Sequence, residues 1–322
     1  MSGLFCMAEE LYDRAVKRST TEADLETVID WPEDRLSVLF ACTDQVRHHF
    51  FDDSVEPCAI MNIKSGGCSE DCAFCSQSSH NDAKINVKAL ANPEEIIKAS
   101  CAANDRGLAF GVVSSGRKLT TAEIQRLAGI LHECEGPIHA SLGILTQEEF
   151  ALLRDAGVVC YNHNLETGRD FFGRIVTTHG YDDRVATVRR AKRAGMKVCC
   201  GGIFGIGESW SDRKALCMEL RGLDVDSVPI NFLNPIAGTR VATPEGSTLQ
   251  YLKIIALFRM ALPDKHIKVC GGREVNLGIA QPLMFLAGAD GYISGDYLTT
   301  QGQSVDADED MIAALGLRKR NP

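Results

Sequence analysis

Apolar residues recur at helical spacing through residues 8–50: Leu11 and Ala15, Leu25 and Val28, then Leu36, Leu39 and Phe40. Thr20 and Thr21 before Glu22 predict one helix start, and Pro32 predicts the first turn of another. After residue 58 the pattern changes. Short runs rich in β-branched and aromatic residues predict strands at 59–64, 108–113, 138–142, 158–163, 197–204, 227–232, 267–269 and 291–294. Between them lie helical patterns at 93–106, 121–133, 146–156, 181–194, 211–220, 249–262 and 279–287. Gly107, Gly157 and Gly195 stand where helices should end. Such alternation implies a parallel α/β sheet. Eight strands fit a closed (β/α)8 TIM barrel behind an N-terminal helical extension; a doubly wound open sheet is the other topology the pattern admits. Either fold puts active residues at the C-terminal ends of strands. The expected division is a helical extension at 1–50, the barrel at 51–302 and a tail at 303–322. The acidic stretch 306–310 reads as a solvated tail or a helix start.

Composition narrows the function classes. Hydrophobic residues make up 45% and charged residues 24% of 322, which suits a globular protein with a sizeable core. The formal net charge of −9 argues against a nucleic-acid or anionic-membrane surface. No apolar run is long enough to span a bilayer, and no basic region precedes an apolar core near the N-terminus. A cytoplasmic protein is the expectation. Thirteen cysteines in such a chain point to metal ligation rather than to a disulfide scaffold. Cys6, Cys42, Cys58, Cys101, Cys134 and Cys217 stand alone and read as small core residues or incidental thiols.

The first strand leads into Gly66-Gly67-Cys68-Ser69-Glu70-Asp71-Cys72-Ala73-Phe74-Cys75. Three thiolates at this spacing can bind three irons of a cubane and leave the fourth open. Zinc would want a fourth ligand, and no Cys or His stands at finger spacing. The C-x3-C-x2-C pattern, with an aromatic before the last Cys, resembles the radical S-adenosylmethionine (SAM) superfamily. That resemblance implies a 4Fe-4S cluster on Cys68, Cys72 and Cys75, with SAM on the open iron. One-electron reduction there cleaves SAM to a deoxyadenosyl radical that takes hydrogen from unactivated carbon.

Further segments sharpen the resemblance. Tyr161-Asn162-His163-Asn164-Leu165-Glu166-Thr167 is similar to a strand of the biotin synthase family. Phe172-Gly173, Ile175-Val176-Thr177-Thr178, Gly205-Ile206-Gly207-Glu208, Val228-Pro229-Ile230-Asn231, Gly272-Arg273-Glu274 and Tyr297-Leu298-Thr299-Thr300 resemble it in the same order. The likeness covers roughly residues 55–302. It implies conversion of dethiobiotin to biotin, a flavodoxin- or ferredoxin-type reductant, and a homodimer. By the same resemblance, Asn162, Asn164, Asn231, Thr299 and Thr300 contact dethiobiotin. Phe74 (through its backbone), Asn164, Glu166 and Arg184 contact SAM. The residue chemistry agrees: amides suit a neutral urea ring, and a guanidinium suits a carboxylate. Gly201 and Gly202 read as places where backbone approaches a ligand.

The sequence departs from the family at the second cluster, which supplies sulfur. Its common 2Fe-2S form uses three Cys and one Arg, matched by Cys199 and Arg273; the other two Cys positions fall near Gly111 and His139. Cys160, two residues before Asn162, should face the barrel interior. With Cys199, Cys200 and Cys270 it would make a four-thiolate site for an auxiliary 4Fe-4S or 4Fe-5S cluster. The catalytic assignment falls on Cys199 and Cys270. Alternation sets Cys200 against Cys199, so Cys200 depends on the Gly-Gly turn that follows. Arg273 is read as neutralising cluster charge rather than ligating, and His139 as a ligand or, by preference, a satisfied core histidine. The rival readings are a related maturase-type radical SAM barrel and a non-catalytic iron–sulfur carrier.

Overall fold

The computed structural model describes residues 2–241 and 246–320. Three N-terminal helices, α1 (Ser2–Val16), α2 (Glu22–Ile29) and α3 (Leu36–Phe51), precede the first strand. Thr21 and Asp24 form a capping box at α2. Pro32 leads into a single 3-10 turn, Glu33–Arg35, before α3 begins.

The strands are β1 (Ser54–Lys64), β2 (Ala109–Ser114), β3 (Ile138–Ser141), β4 (Val158–Asn162), β5 (Lys197–Cys199), β6 (Gly202–Phe204), β7 (Ser227–Phe232), β8 (His266–Val269) and β9 (Gly291–Ile293). All pair in parallel, in the order β1-β2-β3-β4-β5-β7-β8-β9, and β9 pairs back onto β1. The ring therefore closes, and the expected TIM barrel is the fold. The helix expected at 279–287 is instead a 3-10 turn, Gly278–Ala280, and a short helix, Leu283–Leu286. Among the strands two details differ from expectation. β1 begins at Ser54, and the predicted fifth strand is broken into β5 and β6. The break falls at Cys200 and Gly201, where a Cβ on Gly201 would meet the Pro229 carbonyl oxygen at 2.1 Å.

Helices α4 (Pro93–Asp105), α5 (Thr121–Leu131), α6 (Gln147–Asp155), α7 (Arg169–Phe172), α8 (Tyr181–Arg193), α9 (Trp210–Gly222), α10 (Thr248–Ala261), α11 (Arg273–Asn276) and α12 (Leu283–Leu286) fill the crossovers. Capping boxes start several of them: Thr120 with Glu123, Thr146 with Glu149, Ser209 with Asp212, and Ser247 with Gln250. The apolar core lies between this ring and the outward strand faces, with Val112, Ala140, Val198 and Val228 fully or almost fully buried. The acidic stretch opens α13 (Val305–Ala314), capped by Ser304. After it, β10 (Arg318–Lys319) pairs with the start of β1.

Candidate active site

A cavity of about 390 Å³ opens at the C-terminal ends of the strands. That is the size and position expected of a small-molecule site in such a barrel. Cys68, Cys72 and Cys75 line it from the loop after β1. The loop is held rigidly by partners far away in sequence. Asp71 accepts from the Thr177 N–H at 2.8 Å and hydroxyl at 2.5 Å, and from the Thr178 N–H at 3.2 Å. The Ala73 N–H donates to the Ile175 carbonyl at 2.8 Å. Asn81 donates to the carbonyls of Cys72 and Cys75 at 3.1 and 2.8 Å. The Ile175–Val176–Thr177–Thr178 segment is thus the buttress of the cysteine loop. Burial pushes the Cys72 thiol up to about 12, so iron would have to displace a tightly held proton.

Glu166, Asn164 and Arg184 meet on the β4 side of this cavity. The Arg184 guanidinium donates to the Asn164 carbonyl at 2.8 Å and to Glu166 at 3.1 Å. Glu166 sits at φ 73°, a left-handed conformation uncommon for a side-chain-bearing residue and typical of functional sites. Burial raises its carboxyl above the usual value, with Arg184 working against it. Gly202 answers to this geometry: a Cβ there would lie 2.4 Å from the Glu166 carbonyl oxygen. At both Gly201 and Gly202 the position a Cβ would take is filled by neighbouring backbone, that of Pro229 and of Glu166. Phe74 lines the cavity, and among the described residues its peptide groups make no backbone hydrogen bond outside regular elements. Sequence reading missed His179 and Glu70, which link Arg184 to the cysteine loop.

Asn162 at the end of β4, Asn231 on β7, and Thr299 and Thr300 also line the cavity. The Asn162 Oδ1 is buried with no partner, an acceptor left for a ligand to satisfy. Asn231 is already engaged, donating to the Gly202 carbonyl at 3.1 Å and accepting from the Gly271 N–H at 3.1 Å. The 297–300 loop closes over the cavity. Asn62 donates to the Leu298 carbonyl at 2.8 Å, and the hydroxyls of Ser76 and Thr299 lie 3.0 Å apart. The Tyr297 hydroxyl donates to the Cys270 carbonyl at 3.1 Å and to Glu274 at 3.0 Å.

The remaining predicted thiols divide. Cys270 lines the cavity. Cys160 and Cys199 lie deeper in the barrel, within electrostatic reach of each other; Cys199 is likewise within reach of Cys270. Burial pushes Cys199 up to about 11, with the Lys268 ammonium pulling it back. Cys200 does not join them. It is fully buried in the apolar layer between barrel and helices, because the Gly-Gly turn leaves its side chain on the outward face. Arg273 acts electrostatically on Cys270, but its guanidinium is hydrogen-bonded to Asp308 at 2.7 and 2.8 Å and to Gln281 at 2.8 Å. Lys268, unremarked in the sequence, is a second cation beside the thiols. His139 keeps some accessible surface and makes no side-chain hydrogen bond among the described residues, so it is not a satisfied core histidine. Among the described residues no three His, Cys, Asp or Glu side chains converge on a point that would hold a single metal ion.

Residues 62–220 match the Radical SAM superfamily, and residues 229–318 match the Biotin and Thiamin Synthesis associated domain. The chain is 45% identical over 322 residues to the biotin synthase of Geobacter sulfurreducens, covering 97% of each. It is 47% identical over 300 residues to that of Desulfatibacillum aliphaticivorans, covering 92% of each. Among solved structures, methylornithine synthase superposes with a TM-score of 0.84 at 20% identity, covering 96% of this chain and 97% of that one. The FeFe-hydrogenase maturase HydG of Carboxydothermus hydrogenoformans gives 0.82 at 15% identity, covering 97% and 79%. Those two share the barrel; the sequence likeness, which runs through the cysteine loop, the β4 strand and the closing loop, places this chain in the biotin synthase family of radical SAM enzymes.

Proposed function

We propose that this chain inserts sulfur into dethiobiotin to give biotin, using a 4Fe-4S cluster on Cys68, Cys72 and Cys75, SAM bound beside it, and an auxiliary iron–sulfur cluster as sulfur source. One observation carries the reading. The three-thiol loop and Cys270 line the same cavity, together with an unsatisfied amide acceptor, Asn162 Oδ1. When bound, the reduced cluster and SAM supply one-electron chemistry that takes hydrogen from an unactivated carbon.

The protein's own part is to bind, orient and exclude water. Arg184, held in place by Glu166 and His179, would present positive charge to the SAM carboxylate. Glu166 and the Phe74 peptide would contact its nucleoside. Asn162 would accept from a urea N–H of the substrate, with Asn164 and Asn231 beside it, and Thr299 and Thr300 would cover the substrate from the closing loop. Cys160, Cys199 and Cys270 supply thiolates to the auxiliary cluster. The auxiliary group is of 4Fe-4S or 4Fe-5S type, because Gly111 and His139 occupy strands where the 2Fe-2S form would need thiols. We assign the reductant to the flavodoxin or ferredoxin type, and read the protein as a cytoplasmic homodimer, on family grounds.

The test is turnover of anaerobically reconstituted protein with SAM, dethiobiotin and a chemical reductant. Biotin formed together with 5′-deoxyadenosine supports the reading. SAM cleavage that never yields biotin, with both clusters loaded, overturns it in favour of another radical SAM reaction.

A further inference from the structure

The interior of a closed eight-stranded barrel is ordinarily filled by bulky branched side chains. Here the inward positions below the cavity are small or polar: Cys58 on β1, Gly111 on β2, His139 on β3, Cys160 on β4, Cys199 on β5 and Lys268 on β8. Cys58 shares strand parity with Ile60, which lines the cavity, and with Glu56, which reaches Lys268 at 2.6 Å. Lys268 also donates to the Cys58 sulfur at 3.3 Å. Cys58 lies within electrostatic reach of Cys160, Cys199 and Cys270, whereas Cys200 packs in the apolar layer outside the barrel. Although enclosed by the barrel, Cys58, Cys160 and Cys199 keep 6%, 5% and 8% of their surface, so they border open space; Cys200 keeps none.

We propose that Cys58 is the fourth thiolate of the auxiliary cluster, with Cys160, Cys199 and Cys270, and that Lys268 is the cation balancing its charge. The assignment rests on the sulfur-insertion reading above and replaces Cys200 with a thiol from the first strand. It gives the cluster ligands from β1, β4 and β5 and from the residue after β8, so that it ties distant parts of the ring together. Lys268, fixed by Glu56, offsets the negative charge that four thiolates bring into a buried site.

The test compares wild type, Cys58→Ala and Cys200→Ala after anaerobic reconstitution with ferrous iron and sulfide. Iron, sulfide and Mössbauer spectra are measured on the full chain. Wild type should hold about eight irons, Cys200→Ala should match it, and Cys58→Ala should lose about one to four while keeping the SAM cluster. The surviving SAM-cluster spectrum serves as the folding control. Cys58→Ala with a wild-type iron count, or loss in Cys200→Ala, overturns the ligand assignment and leaves the auxiliary cluster standing. Wild type with only about four irons overturns the underlying reading instead. Lys268→Met should move the auxiliary cluster's potential to more negative values, and Lys268→Arg should keep it; an unchanged potential in Lys268→Met overturns the charge-balancing role.

Discussion

Arg184 Nε donates to His179 Nε2 at 3.0 Å, and that contact fixes the histidine's tautomer. Only an unprotonated Nε2 can accept, so Nδ1 carries the hydrogen and gives it to Glu70. Burial first, and the charge of Arg184 next, keep the imidazole neutral by lowering its pKa. Glu70 lies between Cys68 and Cys72 in sequence. The position of the Arg184 guanidinium is therefore tied to the three-cysteine loop.

His179→Ala should uncouple the two. The KM for SAM should rise about 10- to 100-fold, the range seen when an outer partner of a ligating group is removed. Melting temperature and the SAM-cluster iron count should stay near wild type. An unchanged KM, measured by 5′-deoxyadenosine formation, would show that Arg184 needs no such support.

Asp290 is buried against Arg259 at 2.6 Å and accepts from the Ile267 N–H at 2.7 Å. Burial alone would raise its pKa, but Arg259 and His266 hold it below the ordinary value. A depressed folded pKa stabilises fully above the unfolded value of about 3.9, and that contribution is lost as pH falls through the folded pKa. Asp290→Asn should cost about 3–5 kcal/mol at neutral pH by leaving Arg259 unpaired. The gap from wild type should narrow below about pH 4, which urea unfolding across pH would reveal.

Gly201→Ala should destabilise the barrel by about 3 kcal/mol or more, since its Cβ would collide with fixed backbone rather than with a mobile side chain. Gly173→Ala, whose Cβ would meet nothing within 4 Å, is the matched control and should unfold near wild type.

Tyr297→Phe removes the hydroxyl that anchors the closing loop to Cys270 and Glu274. Loss of about 1–1.5 kcal/mol of hydrogen bonding should raise the KM for dethiobiotin roughly tenfold. SAM cleavage without substrate should not change. A dethiobiotin KM equal to wild type would remove the loop from substrate binding.

The barrel and the cysteine loop were legible because both are local patterns: strand runs at regular intervals, and three thiols within eight residues, Cys68 to Cys75. Cys58 escaped for a local reason as well. Glu56 and Pro57 disfavour a strand, so β1 reads as beginning after them. Pro57 is nonetheless accommodated beside Tyr292 in the closing seam. Once β1 starts at Ser54, Cys58 turns inward. The Arg273–Asp308 and Glu70–His179 contacts were invisible for the opposite reason: each joins segments far apart in sequence, with no periodicity to betray them.

The seam between β1 and β9 pairs Glu56 with Gly291, nearly the full length of the barrel sequence apart. Closing so long a loop is entropically slow, and no earlier strand can substitute for β9. Until β9 docks between β8 and β1 the ring has an open edge, so the interior positions, Cys58, Cys160 and Cys199 among them, become enclosed only when the last strand is in place.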